Sequence, residues 1–154
     1  MRFIAIALAA ALAGCAGLPK VFIDRDPLTA DEHARLGAAY EAQGEKKAAD
    51  AQYLRAVALD RRHLGAWMAI GNRAFEDGEL EKARRCYRRV LSLAPRHPGA
   101  SNNLAMVYLA QGRRLDEAEA LAKVALAAEG PMKPYALDTL AQIERRRAAD
   151  GDGR

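Results

Sequence analysis

Few residues in this chain are of types that do chemistry. There are two cysteines and three histidines. Cys15 closes an apolar run, and an extended thiol at such a place is a nucleophile open to alkylation. Cys86 lies between Arg85 and Tyr87 inside a helix-like stretch, without the base and oxyanion donors that a catalytic thiol needs, and is read as a partly buried structural residue. His33, His63 and His97 belong to separate elements, and His63 and His97 stand 34 residues apart in turns, a spacing unrelated to metal-ligand geometry. The chain has no phosphate-binding glycine loop, no His-Glu-x-x-His and no Gly-x-Ser-x-Gly. It is therefore read as no enzyme, with no catalytic residues, no metal, no cofactor and no small-molecule substrate. What remains is amide chemistry: Asn72 and Asn103 carry groups that donate and accept hydrogen bonds together, as a peptide backbone requires of a partner.

The elements around Cys15 determine its chemistry. Met1-Arg2 is a short positive region, Phe3 to Leu12 is an unbroken apolar run, and Ala13 and Gly14 are small, which is the order of a secretory signal. Ten apolar residues reach only ~15 Å as a helix, about half of a hydrocarbon core, so the run targets rather than spans. Leu12-Ala13-Gly14-Cys15 resembles the lipobox of bacterial lipoproteins. The resemblance implies cleavage after Gly14, covalent lipid on Cys15 and, because Ala16 rather than aspartate follows, a lipid anchor on the periplasmic face of the outer membrane. With Cys15 acylated, Cys86 has no disulfide partner. Residues 15–29 read as the lipidated cysteine and a short tether, interrupted by the apolar cluster Val21-Phe22-Ile23.

The 154 residues as a whole are about half apolar and 29% charged, with 6% aromatic residues and abundant alanine, which suits close-packed helices better than pleated sheets and makes the fold class all-α. The formal charge of +4 is spread among interspersed charges of both signs. The densest basic runs, Arg84-Arg85 with Arg88-Arg89 and Arg145 to Arg147, lack interleaved aromatics for base stacking and are read as solvated helix faces, so nucleic acid is not expected as a partner.

From Thr29, which with Glu32 makes a capping-box pattern, residues recur every 34 positions: Leu36, Ile70 and Leu104; Gly37, Gly71 and Ala105; Gly44, Gly78 and Gly112; Ala49 and Ala83; Tyr53 and Tyr87. These positions resemble the tetratricopeptide repeat (TPR), in which a small residue on helix A admits an aromatic from helix B. The resemblance implies an α-solenoid of antiparallel helix pairs over residues 30–148: repeats 30–63, 64–97 and 98–131, then a capping helix 134–148 with Leu137, Leu140 and Ala141 at first-helix positions, and a polar tail 149–154. The first repeat has Arg61 where the second has Pro95. The third needs an extra residue between Arg113 and Leu115, and Ala122 stands where the family carries an aromatic, so a cavity or a neighbouring side chain is expected to fill that space.

Members of this family are interaction modules whose A helices line a concave groove. Carried over position by position, the groove would hold Met68, Asn72, Phe75, Asn102, Asn103, Met106, Leu109, Gln142 and Arg145. Asn72 and Asn103 match the two asparagines of the family's carboxylate-clamp subgroup. Met68, Tyr135 and Thr139 hold the clamp's cationic positions, so a free carboxylate is not the expected ligand. The reading is of a protein-binding scaffold or adaptor in the cell envelope, whose partner is another protein or peptide segment. Two alternatives are a structural subunit of an envelope machine, resembling the TPR lipoproteins of type IV pilus secretin assembly, and a regulator of a cell-wall or exopolysaccharide enzyme.

Overall fold

The computed structural model describes residues 26–152, so the signal-like segment, Cys15 and the Val21-Phe22-Ile23 cluster lie outside the described residues. The elements are α1 (Ala30–Ala42), α2 (Lys46–Leu59), α3 (Leu64–Glu76), α4 (Leu80–Leu93), α5 (Pro98–Ala110), α6 (Leu115–Leu126) and α7 (Lys133–Asp152), with no strand among the described residues. Each helix packs on its sequence neighbours, and α3, α5 and α7 also touch in series, so these first helices of successive pairs form one layer with α4 and α6 packed between them in sequence. This is an α-solenoid.

The 34-residue periodicity has a backbone cause. Gly44, Gly78 and Gly112 end the turns after α1, α3 and α5 with φ of +78°, +74° and +61°, a left-handed conformation that costs glycine nothing. The third turn is one residue longer, as the repeat register requires, and the extra residue makes Arg114 left-handed as well, at φ +56°. Its guanidinium is held by Glu117 at 2.9 Å and lies 5.7 Å from the centre of the Tyr108 ring.

Helix starts follow local chemistry too. Thr29 and Glu32 form a reciprocal capping box on α1. His63 and His97 take the N-cap positions of α3 and α5, their Nδ1 atoms accepting from the Ala66 and Ala100 amides at 3.0 and 3.1 Å. Their spacing is thus the spacing of helix starts, and the ring proton sits on Nε2, which in His63 faces Asp31 at 3.1 Å. Where the first repeat lacks the proline, the Arg61 carbonyl is fastened instead by Trp67 Nε1 at 3.0 Å and by the Arg89 guanidinium.

Packing inside each pair rests on a missing side chain. The Tyr53 ring covers Gly37 and the Tyr87 ring covers Gly71, so closely that a Cβ on Gly71 would lie 2.7 Å from Tyr87 Cε1 and 3.1 Å from Cys86 Cβ. Tyr53 and Tyr87 are buried. In the third pair both members change together: Ala105 replaces the glycine, Ala122 replaces the aromatic, and the completely buried Ile143 of α7 joins their cluster. The last helix thus contributes a buried side chain to the same core cluster.

The last helix differs from its sequence reading in two ways. It continues to Asp152, through most of the stretch read as a tail, with Arg146 and Asp150 paired along it at 3.2 Å. Leu137, read as a first-helix position of the repeat, is 52% exposed, and the buried positions are Ala136, Thr139 and Ile143. Leu140 and Ala141 are half-buried. Arg147 binds Asp116 and Glu119 of α6 and ties the last helix to the array.

Two predictions follow from this packing. Gly71→Ala should destabilise the fold by about 1–3 kcal/mol through overpacking. In a Tyr87→Ala background, itself costing about 3–5 kcal/mol, the glycine change should be nearly neutral, because the third pair already lives with alanine at both places. Additive losses in denaturant melts would refute the pairing. Glu119 is held below its ordinary range, first by its hydrogen bond to Lys123 and then by that to Arg147, so its contribution is fully present above the unfolded value near 4.5 and is lost as pH falls from there through the depressed folded value. Glu119→Gln should therefore lower Tm at pH 7 and give a shallower decline below pH ~4.5, the two Tm curves converging in acid.

Candidate functional site

The face built by α3 and α5 holds a recess of about 280 Å³ lined by Asn72, Phe75, Glu76, Tyr87, Asn103 and Met106. Asn72 and Phe75 lie one turn apart on α3, Asn103 and Met106 one turn apart on α5, and stacking of the two helices makes their faces continuous. The two asparagines meet: Asn103 Nδ2 donates to Asn72 Oδ1 at 2.9 Å. The Tyr87 hydroxyl, reaching up from α4, donates to the same oxygen at 3.0 Å. Burial pushes the Tyr87 phenol well above its ordinary range, so it stays a donor throughout the physiological range.

This arrangement saturates one acceptor and leaves the rest of the amide chemistry open. Neither the Asn72 Nδ2 hydrogens nor Asn103 Oδ1 has a hydrogen-bond partner among the described residues. A donor and an acceptor are thus left open in one recess, which the half-buried Phe75 and Met106 also line. That is complementary to one peptide unit of an extended chain and the side chain next to it, and the volume is at the small end for a drug-sized ligand or cofactor.

The other residues read as groove positions are distributed differently. Met68 and Leu109 pack half-buried against the core cluster, and Met68 Cε would lie 3.5 Å from a Cβ at Gly99. Gln142 binds Asp138 on its own helix at 2.7 Å, and Arg145 is exposed on α7; neither borders the Asn72–Asn103 recess. Asn102 requires a correction. It is 5% exposed and turned into the α5–α7 interface, where its Oδ1 accepts from the Thr139 hydroxyl at 2.9 Å, so it is part of the packing and not of the groove. The hundred-degree step between consecutive helical residues separates it from Asn103.

Sequence reasoning missed Arg73. One repeat later its position carries Val107, yet here a 5% exposed guanidinium lies among Glu41 at 3.1 Å, Asp50 at 3.6 Å and Glu76 at 4.0 Å. Glu41 also accepts from the Tyr53 hydroxyl at 2.8 Å. This network joins the first two repeats beside the recess, and its only signal in the sequence was a charge breaking the apolar register. Tyr87 was legible as a core aromatic but not as a donor to the site. Among the described residues no group of three His, Cys, Asp or Glu side chains lies together as a metal site would, and no helix is long and apolar enough to cross a membrane.

Helix pairs stacked in register, with an open amide recess on the layer of first helices, define a tetratricopeptide-type repeat domain. The chain belongs to the family described as the cilia and flagella-associated protein 70 middle TPR-like domain, whose family model matches residues 33–139. Domains of this type are in general non-catalytic interaction modules. Over 92 residues the chain is 32% identical to the type IV pilus assembly protein PilF of Pseudomonas aeruginosa, a match that takes in 56% of this chain and 35% of that protein. It thus spans about a third of the curated relative. Among solved structures, the first TPR of Spaghetti (RPAP3) bound to the HSP90 peptide SRMEEVD superimposes with a TM-score of 0.69 at 18% identity, covering 78% of this chain and 94% of that one. A structure of Pseudomonas aeruginosa PilF superimposes with a TM-score of 0.67 at 23% identity, covering 80% of this chain and 56% of that one.

The burial contrast on α5 gives a stability prediction. Asn102→Ala should cost about 0.5–1.5 kcal/mol by removing a buried hydrogen bond, the Thr139 hydroxyl keeping the Tyr135 carbonyl as its acceptor, whereas the half-buried Asn103 should cost less than about 0.5 kcal/mol on the same change. Equal Tm losses for the two would contradict the assigned faces.

Proposed function

We propose that this protein is a lipid-anchored interaction scaffold of the cell envelope, and that the recess between α3 and α5 holds an extended segment of a protein partner. The observation that carries the binding proposal is the Asn72–Asn103 pair, in which one oxygen accepts twice from within and the remaining donor and acceptor have no partner among the described residues. Such a pair is oriented before the ligand arrives, which reduces the ordering cost of binding. Specificity then comes from the Phe75 and Met106 walls and from Glu76 at the rim, while the Arg73 network holds the neighbouring repeat in place.

The envelope address rests on the signal-like N-terminus and on Cys15, which would carry the lipid at the periplasmic face of the outer membrane. The match to PilF supports a second reading, a structural subunit in assembly of a type IV pilus or secretin-type machine. Both readings place a protein segment in the same recess and differ in stoichiometry: an adaptor works at one copy per partner, a machine subunit in multiples.

A photoreactive residue at Phe75, in cells expressing the full chain, tests the reading. One abundant crosslinked partner is expected, with capture falling about tenfold or more in Asn72→Ala/Asn103→Ala. Cys15→Ser should abolish incorporation of labelled palmitate and release the protein from membranes. Undiminished capture in the double variant overturns the recess, and membrane retention of the Cys15→Ser protein overturns the anchor.

A further inference from the structure

The second helices carry a feature that the amide recess does not use. Between α2 and α4 runs a trough of about 650 Å³, floored by Val57, Trp67, Ile70 and Cys86 and bordered by Leu54, which is 55% exposed. Its rim is basic: Arg61, Lys82, Arg85 and Arg89 line it. The buried Arg73 and the half-buried Arg147 have carboxylate partners, Glu41 for the first and Asp116 with Glu119 for the second. On the rim only Lys82 does, at 2.8 Å from Glu79, whereas Arg61, Arg85 and Arg89 have no carboxylate within ion-pair reach among the described residues. Arg89 is nonetheless held in place, through its bonds to the Arg61 carbonyl.

From this we infer a second docking surface, the α2–α4 trough, which takes an acidic amphipathic segment of another protein, with its apolar residues on the floor and its carboxylates on Arg61, Arg85 and Arg89. Charge complementarity selects the occupant. Arginine forks match carboxylates in two-bonded geometry, and apolar floor with unneutralised cationic rim is the complement of a helix or strand that alternates Leu, Ile or Phe with Asp or Glu. A bilayer presents its charge in a plane, whereas this floor is sunk between two helices and calls for protruding side chains. The basic run Arg84-Arg85 and Arg88-Arg89, read from sequence as one solvated face, is thereby divided: Arg84 is neutralised by Glu81 at 2.7 Å, while Arg85 and Arg89 border the trough.

The chain's single tryptophan, Trp67, is on the trough floor and absent from the amide recess, so its emission reports occupancy of one surface and not the other. The test pans a library of random dodecapeptides against the full chain and titrates the enriched peptides while reading Trp67 fluorescence. Enriched sequences should interleave Asp or Glu with Leu, Ile or Phe and shift Trp67 emission to the blue. Their affinity should fall about tenfold or more in Arg61→Glu/Arg85→Glu, a variant of exposed positions whose folding is checked by helical circular dichroism. It should be unchanged in Asn72→Ala/Asn103→Ala, which separates this surface from the recess. The inference fails if enriched peptides have no acidic bias or bind the charge-reversed variant equally well. It fails also if phosphatidylglycerol vesicles, and not peptides, move Trp67 emission; if peptides bind only after Phe22→Ser, meaning that the chain's own segment fills the trough; or if sedimentation shows a dimer that Arg85→Glu dissolves.

Discussion

Helices A and B of a pair can sit close enough to exclude water only where one of them gives up a side chain. Here the exchange is made twice between glycine and tyrosine, at Gly37 with Tyr53 and at Gly71 with Tyr87, and once between two alanines, Ala105 and Ala122. Almost everything else depends on that distance. It places the buried Ala49, Ala56, Ala83, Ala118 and Ala125 against facing helices, where a larger residue would have no room. It also sets the height at which the Tyr87 hydroxyl emerges on the other side of α3, within reach of Asn72. One aromatic side chain is thus both the packing element of the second repeat and the internal partner of the candidate site.

A solenoid of this length exposes two long faces, and the charges distinguish them. On the layer of first helices the buried guanidinium of Arg73 is surrounded by carboxylates, and next to it lie neutral amides. On the side of α2 and α4 the arginines around Trp67 are left without carboxylates. A buried cation needs compensation within the fold, because nothing else offsets its desolvation. An exposed one does not, so an uncompensated cluster around an apolar floor is free to be complemented from outside. The two faces are therefore suited to different ligand chemistry, backbone amides on one and carboxylates on the other.

Much of the fold was legible because it is local and repeated. Gly44, Gly78 and Gly112 announce left-handed turns, Thr29 and Glu32 announce a helix start, and the small residue followed sixteen positions later by an aromatic announces the pair. The histidine caps were visible only as a spacing, since imidazole is not a usual capping group and its role depends on Nδ1 pointing back at an amide. Family register placed Asn72 and Asn103 on one face but put Asn102 there as well. The error is one of helical phase: in the third repeat, α7 packs across α5 and covers that position, whereas no such helix crosses it in an isolated repeat.

By itself the sequence determined what is written in short-range patterns: an all-α chain, its 34-residue period, the turn glycines, the extra residue before α6, and the order of charge, apolar run and cysteine at the N-terminus. Tertiary structure alone decided which polar residues meet. Arg73 and Glu41, Asn72 and Asn103, Asn102 and Thr139, and Arg147 and Glu119 are each separated by 28 or more residues, and their contacts follow from how one pair rotates on the next. That rotation is set by the sum of many side-chain volumes at the interface, a quantity that no single repeat contains. The same holds for the trough around Trp67, whose floor and rim come from three helices brought together only when the pairs stack.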